Sequence, residues 1–203
     1  MNEHLQGLLQ RVPALEACAA DIEGAFATLR ACFASGAKVL ACGNGGSAAD
    51  AEHWAGELLK GMLKQRPLKP ESQSSLPPAL AQRLQGALAM IPLTGFLSYR
   101  TAFANDVDPE LVFAQLVWAL GRPGDVLVAL STSGESANVC AAADTAAAKG
   151  MAVVALTGAD GGRLRTLADV AICVPARDTH LVQEYHLPVY HCLSVMLEDE
   201  FFG

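Results

Sequence analysis

His53 and Glu57 stand four residues apart in the run Ala41-Cys-Gly-Asn-Gly-Gly-Ser-Ala-Ala-Asp-Ala-Glu-His-Trp-Ala-Gly-Glu57. On a helix that spacing puts an imidazole and a carboxylate on one face, where they can share a proton or a metal ion. The same run opens with Gly43, Asn44, Gly45, Gly46 and Ser47, and a second loop, Ser131-Thr132-Ser133-Gly134-Glu135-Ser136, follows far along the chain. Each loop sets glycines and small hydroxyls at the start of a helix-like stretch. First-turn N–H groups lack helical partners there and can receive a phosphate. Neither loop contains Lys or Arg. A phosphate here would rest on backbone dipoles and hydroxyls, which suits a sugar monophosphate better than a nucleoside triphosphate. A phosphate cradle beside an acid/base or metal pair indicates an enzyme acting on a phosphorylated small molecule.

Each feature has a plainer explanation. Ser47-x-x-Asp50 and Thr132-x-x-Glu135 both read as capping boxes, which use the same N–H groups as a phosphate would. A His–Glu pair at this spacing is often a solvated helix face, but here the helix begins at the phosphate loop. Gly43, Gly45 and Ala48 match the loose dinucleotide fingerprint G-x-G-x-x-A. The acid that fingerprint needs is missing, because the next strand ends Met90-Ile-Pro-Leu-Thr94. No G-K-[ST] occurs, which excludes a Walker loop. A third cluster, Gln183-Glu184-Tyr185-His186-Leu187-Pro188-Val189-Tyr190-His191, sets two histidines in an otherwise apolar C-terminal helix. They read equally well as core histidines. Pro188 is predicted to kink that helix or mark its first turn.

The elements that position these groups alternate along the chain. Residues 3–35 show helical periodicity, divided at Pro13 into two expected helices. Five apolar runs follow, Lys38–Cys42, Ala87–Pro92, Asp125–Ser131, Met151–Thr157 and Val170–Pro175. Helix-like stretches at Ser47–Leu63, Pro109–Leu120, Glu135–Lys149 and Gly162–Leu167 separate them, and a last helix covers about Val182–Glu200. Alternation of this kind predicts a parallel sheet covered on both faces. We expect one flavodoxin-like α/β domain spanning 1–203, a doubly wound five-stranded sheet with an N-terminal helical segment. Residues 64–86 depart from the rhythm. Their Pro- and Ser-rich run predicts an exposed loop, with a short helix at Ala79–Gln85.

With 203 residues and a hydrophobic content of 52%, the chain can bury a sizeable core. A net charge of −7 argues against a nucleic-acid backbone partner. The six cysteines show no C-x-x-C pair and read as reduced, buried thiols. No signal-peptide core or membrane-spanning run is evident, so a soluble, cytoplasmic protein is expected.

At this point the sequence resembles the sugar isomerase (SIS) domain family, and within it the phosphoheptose isomerase branch. The resemblance rests on CGNGGSAADAEHWAGE (42–57), AND (104–106), GDVLVALSTSGESANV (124–139), KGMAVVALTGADGG (149–162) and VQEYHLPVYH (182–191). It implies an aldose–ketose isomerase that interconverts sedoheptulose 7-phosphate and D-glycero-D-manno-heptose 7-phosphate through an enediol. By the same resemblance, Asn44, Gly45, Gly46, Ser47, Asn105 and Asp106 contact the sugar phosphate, while Ser131, Thr132, Ser133 and Ser136 hold its phosphate. Glu57 and His191 become the acid/base pair. His53, Glu57, Gln183 and His191 become zinc ligands, with Gln183 also facing substrate. A homotetramer with sites between subunits is implied as well.

Helix geometry leaves one ligand open. On a straight helix Gln183 and His191 are about 12 Å apart along the axis and roughly 80° around it. They share a metal only if Gln183 precedes the regular helix or the helix bends at Pro188, whereas Glu184 lies better on the face of His191. Two departures from the branch concern the substrate: the long 64–86 connection, and Glu135 where asparagine is common. Two other outcomes compete, a non-catalytic SIS protein that binds a phosphosugar or a replication initiator, and an isomerase of another phosphosugar. The regulatory branch lacks a carboxylate at the position of Glu57, which favours the enzyme.

Overall fold

The computed structural model describes residues 2–203. Helix α1 (Glu3–Arg11) ends at the turn Val12-Pro13, and a 3₁₀ segment Pro13–Cys18 leads into α2 (Ala19–Ala34). The break at Pro13 is as the sequence predicts, with the 3₁₀ segment added. Then come β1 (Val39–Cys42), α3 (Gly46–Leu59), α4 (Pro70–Ser74), α5 (Pro78–Ala81), β2 (Met90–Pro92), α6 (Leu97–Asp106) and α7 (Val112–Leu120). The chain closes with β3 (Val126–Leu130), α8 (Ala137–Ala148), β4 (Ala152–Thr157), α9 (Gly162–Leu167), β5 (Val170–Cys173) and α10 (Thr179–Phe202).

The strands form one all-parallel sheet in the order β2-β1-β3-β4-β5. Alternate side chains along each strand enter opposite layers. Val39, Ala41, Val126, Val128, Leu130, Val154 and Leu156 face the layer built from α1, α2, α3 and α10. Leu40, Cys42, Leu127, Ala129, Val153 and Ala155 face the layer of α7, α8 and α9. This is the expected doubly wound α/β fold. Among the described residues, no helix is long and apolar enough to cross a membrane, and all six cysteines are free.

The winding of the sheet reverses between β1 and β3. β1 feeds outward to β2, whereas β3 feeds the other way to β4 and β5. Cys42 is level with Ala129 in the register, so the loops that follow the two strands emerge side by side. A crevice at the carboxyl ends of such a switch point is where open α/β sheets bind ligands.

Three expectations need correction. Helix α6 lies where no helix is predicted; none of its residues is fully buried, and its apolar face is only Tyr99, Phe103 and Ala104, packed against the second layer. Strand β2 shrinks to three residues, because it is the sheet edge and ends on Pro92, which cannot donate to a ladder. The 64–86 segment is more than a loop. It carries α4 and α5, its ends pair at Pro67 and Gln85, and it is anchored by Arg66, which is fully buried against Glu198.

Candidate active site

A cavity of about 240 Å³ opens at the β1/β3 switch, lined by Asn44, Gly45, Gly46, Ser47, Leu130, Ser131, Thr132, Ser136, Thr179 and Gln183. Backbone conformation shapes it. Gly45 caps α3 with φ +56°, a region that L side chains rarely adopt. Helix α3 therefore starts at Gly46, and Ser47 lies inside its first turn, buried, without a cap bond. The capping box Ser47-x-x-Asp50 is not formed. Across the cavity, Ser131 Oγ donates to Ser136 Oγ at 3.0 Å. Ser136, not Thr132, precedes the first turn of α8. Ser133 Oγ accepts the Glu135 N–H at 3.1 Å, and the Glu135 carboxylate accepts the N–H of Arg163 at 2.8 Å. The second capping box is thus also absent, since Glu135 serves the start of α9. A methyl group on Gly46 would come within 2.5 Å of the Gln183 amide, so that amide rests directly on the loop.

Farther along α3, three donors converge. His53 Nε2 is 3.3 Å from Glu57 Oε1 and 3.4 Å from His191 Nε2. One ligand atom from each of His53, Glu57 and His191 lies within 4.8 Å of the others. Lys60 Nζ stands 3.2 Å from the other Glu57 oxygen. Burial, together with the nearby His53, pushes the His191 imidazole below its ordinary value, and Glu57 partly opposes this. This shift favours the neutral ring, which holds a lone pair. Two imidazoles and a carboxylate aimed at one point suit a borderline cation such as zinc. Behind them the Tyr190 hydroxyl contacts His53 Nδ1 at 2.9 Å and Asp50 Oδ1 at 3.3 Å.

The structure gathers most of the predicted site residues into these two adjoining groups. Asn44, Gly45, Gly46, Ser47, Ser131, Thr132, Ser136 and Gln183 line the cavity. His53, Glu57 and His191 form the donor set. Asn105 and Asp106 do not join them: they are exposed at the end of α6, where Asn105 Nδ2 donates to Asp106 Oδ1 at 2.8 Å. Ser133 points away, into its bond with Glu135. α10 runs continuously across Pro188, so Pro188 does not mark a first turn, and Gln183 lies inside the regular helix. The first of the two routes by which Gln183 could join His191 on a metal is thereby closed. Glu184, the helical alternative, is exposed and stands outside the donor set.

Sequence reasoning missed Asp50, Lys60, Asn138 and Thr179 as neighbours of the site. Asp50 and Lys60 fall three residues from His53 and Glu57, a spacing that puts neighbours on one helix face, so both were within reach of that rule. Asn138 exchanges two amide hydrogen bonds with Asn44, 2.8 and 3.0 Å, from a position 94 residues away, which no spacing reveals.

A doubly wound sheet with a glycine- and hydroxyl-lined cavity at its switch point defines a ligand-binding α/β domain, and comparison narrows it. The SIS domain family matches residues 3–82 and 88–158. The phosphoheptose isomerase of Thiobacillus denitrificans is 43% identical over 98% of this chain and 94% of its own length. Among solved structures, the phosphoheptose isomerase of Neisseria gonorrhoeae superposes with a TM-score of 0.77 at 34% identity, covering 97% of this chain and 96% of that one. The enzyme of Francisella tularensis gives 0.78 at 30% identity, over 98% and 96%. The chain belongs to the SIS domain family and, within it, to the phosphoheptose isomerases.

Proposed function

We propose that the protein interconverts sedoheptulose 7-phosphate and D-glycero-D-manno-heptose 7-phosphate. The observation that carries this reading is the convergence of Glu57 and His53, on the helix that begins at the glycine- and serine-lined cavity, with His191 of α10. Ser131, Thr132, Ser136 and the first turn of α3 hold the phosphate, whose binding energy fixes the far end of the sugar. Glu57 then carries a proton between C1 and C2, which differ in the substrate and product by that transfer. His191, whose surroundings favour the neutral ring, serves the hydroxyl oxygens as they gain and lose protons.

The residues present fit a zinc ion, and His53, Glu57 and His191 are the groups that would hold it. Zinc bound there supplies polarisation of the substrate carbonyl. Gln183 rests on Gly46 in the cavity, and the proposal gives it the substrate contact. Assembly as a homotetramer with sites at subunit interfaces belongs to the same proposal. It is supported by the exposed apolar side chains Leu97, Val107 and Trp118, and by Asn105 and Asp106 standing apart from the cavity. A cytoplasmic location, where sugar phosphates are retained, also belongs to it.

The test is proton NMR of the purified protein with sedoheptulose 7-phosphate in D₂O, with zinc and with a chelator. A growing aldose anomeric signal with deuterium entering at the transferred position supports the isomerase. No turnover by folded, zinc-loaded tetramer would refute it and direct attention to a regulatory phosphosugar-binding role.

A further inference from the structure

Tyr190 is fully buried and stacked on Trp54, with ring centroids 5.6 Å apart and planes at 20°. The stack fixes its hydroxyl between Asp50 Oδ1 at 3.3 Å and His53 Nδ1 at 2.9 Å. A phenol carries one hydrogen and can donate only once. Asp50 Oδ2 is buried without a partner, and burial raises the Asp50 carboxyl above its ordinary value, with Tyr190 and His53 opposing. As a carboxylate, Asp50 only accepts. Protonated on Oδ2, it still accepts at Oδ1. With Oδ1 thus the acceptor, the phenol hydrogen goes to Asp50, and the phenol oxygen is left to accept from His53.

We propose that Asp50 and Tyr190 form a relay that holds His53 as the Nδ1–H tautomer. The lone pair of Nε2 then faces Glu57 Oε1 at 3.3 Å and His191 Nε2 at 3.4 Å, which makes this point receptive to a cation. Tyr190 is a positioning residue: it reaches the site through His53. Without the relay the tautomer is free, and the Nε2–H form would close the point to a metal. The consequence for metal binding rests on the zinc reading above, whereas the tautomer itself does not. Outer partners of a metal-binding histidine typically change affinity about 10- to 100-fold.

The test uses metal-free protein with 15N-labelled histidine at mildly alkaline pH, then zinc titration against a chelating dye. The wild type is expected to show His53 protonated at Nδ1. Tyr190→Phe keeps the ring on Trp54, should leave the melting temperature near that of wild type, and should mix the tautomers. Its zinc affinity should fall about 10- to 100-fold. Asp50→Ala frees the phenol to donate to Nδ1, so it should drive His53 to Nε2–H and weaken zinc further than Tyr190→Phe does. An Nε2–H tautomer in the wild type, or unchanged tautomer and affinity in both variants, overturns the relay. The expected tautomers in a wild type that binds no zinc would uphold the relay and refute the metal reading.

Discussion

Arg66 donates to the main-chain carbonyl of Glu57 at 3.1 Å. From the same buried position it also reaches the Leu58 carbonyl and Glu198 Oε1, each at 2.8 Å. The Glu198 carboxylate further accepts the N–H groups of Met62, Leu63 and Lys64. The last carbonyls of the helix that carries the candidate base are thus fastened to the far end of α10.

Removing one partner of a buried ion pair leaves an uncompensated charge, at a cost of about 3–5 kcal/mol. Arg66→Ala is expected to lose about that much stability by urea unfolding, and a loss under about 1 kcal/mol would contradict the anchoring role. Burial alone would raise the Glu198 carboxyl, but the N–H groups of Met62 and Leu63 and the Arg66 guanidinium outweigh it and lower the pKa. That contribution is present above the carboxyl's unfolded pKa and is lost as pH falls through the lower, folded one.

Glu57→Gln keeps the volume of the side chain and removes its proton-carrying oxygen. Turnover should fall by at least about 100-fold, the smaller end of what general acid–base groups contribute. Sugar phosphate binding, read by calorimetry, should persist. Normal turnover in this variant would remove Glu57 from the mechanism.

His186 is wholly buried. Burial takes its pKa from 6.5 down to about 4, only partly opposed by a contact of 3.3 Å between Nε2 and the Thr157 carbonyl oxygen. The folded state favours the neutral ring. Its contribution is complete above pH 6.5, declines as pH falls toward about 4, and amounts to roughly 3 kcal/mol. Urea midpoints measured across that range should decline, and His186→Leu should flatten the decline. An equally steep decline in the variant would assign the effect elsewhere.

Gly46→Ala places a methyl group within 2.5 Å of the Gln183 amide and should displace it from the cavity. Loss of one hydrogen-bonding group is worth about 1 kcal/mol, so sugar phosphate affinity should fall roughly fivefold. Unchanged affinity would mean that Gln183 does not serve the ligand.

The strands were legible because a sheet buried on both faces demands unbroken apolar runs, and the chain supplies them at β1, β3, β4 and β5. The helix α6 was not, because none of its residues is fully buried and only Tyr99, Phe103 and Ala104 pack against the core, a stripe too short to read from the sequence. The two capping boxes misled for a local reason. Gly45 at positive φ starts α3 early, and Glu135 turns to α9 instead of its own helix. His53, Glu57 and His191 could be named from residue type and motif, but their meeting depends on α10 lying across α3. Likewise, Tyr190 reaches His53 over 137 residues of sequence, and local pattern says nothing of such a contact.

Helix α10 is one continuous helix of 24 residues that lines the switch-point cavity with Thr179 and Gln183 and carries His191 of the donor set. Eight residues separate Gln183 from His191, a rise of about 12 Å. Under the proposed function this helix would act as a gauge. A sugar whose phosphate lay in the cavity would then present its carbonyl to Glu57 and His191 according to the length of its carbon chain. On that reading a shorter phosphosugar is expected to bind and yet fall short of Glu57, and comparing binding with turnover across sugar phosphates of different chain length would test it.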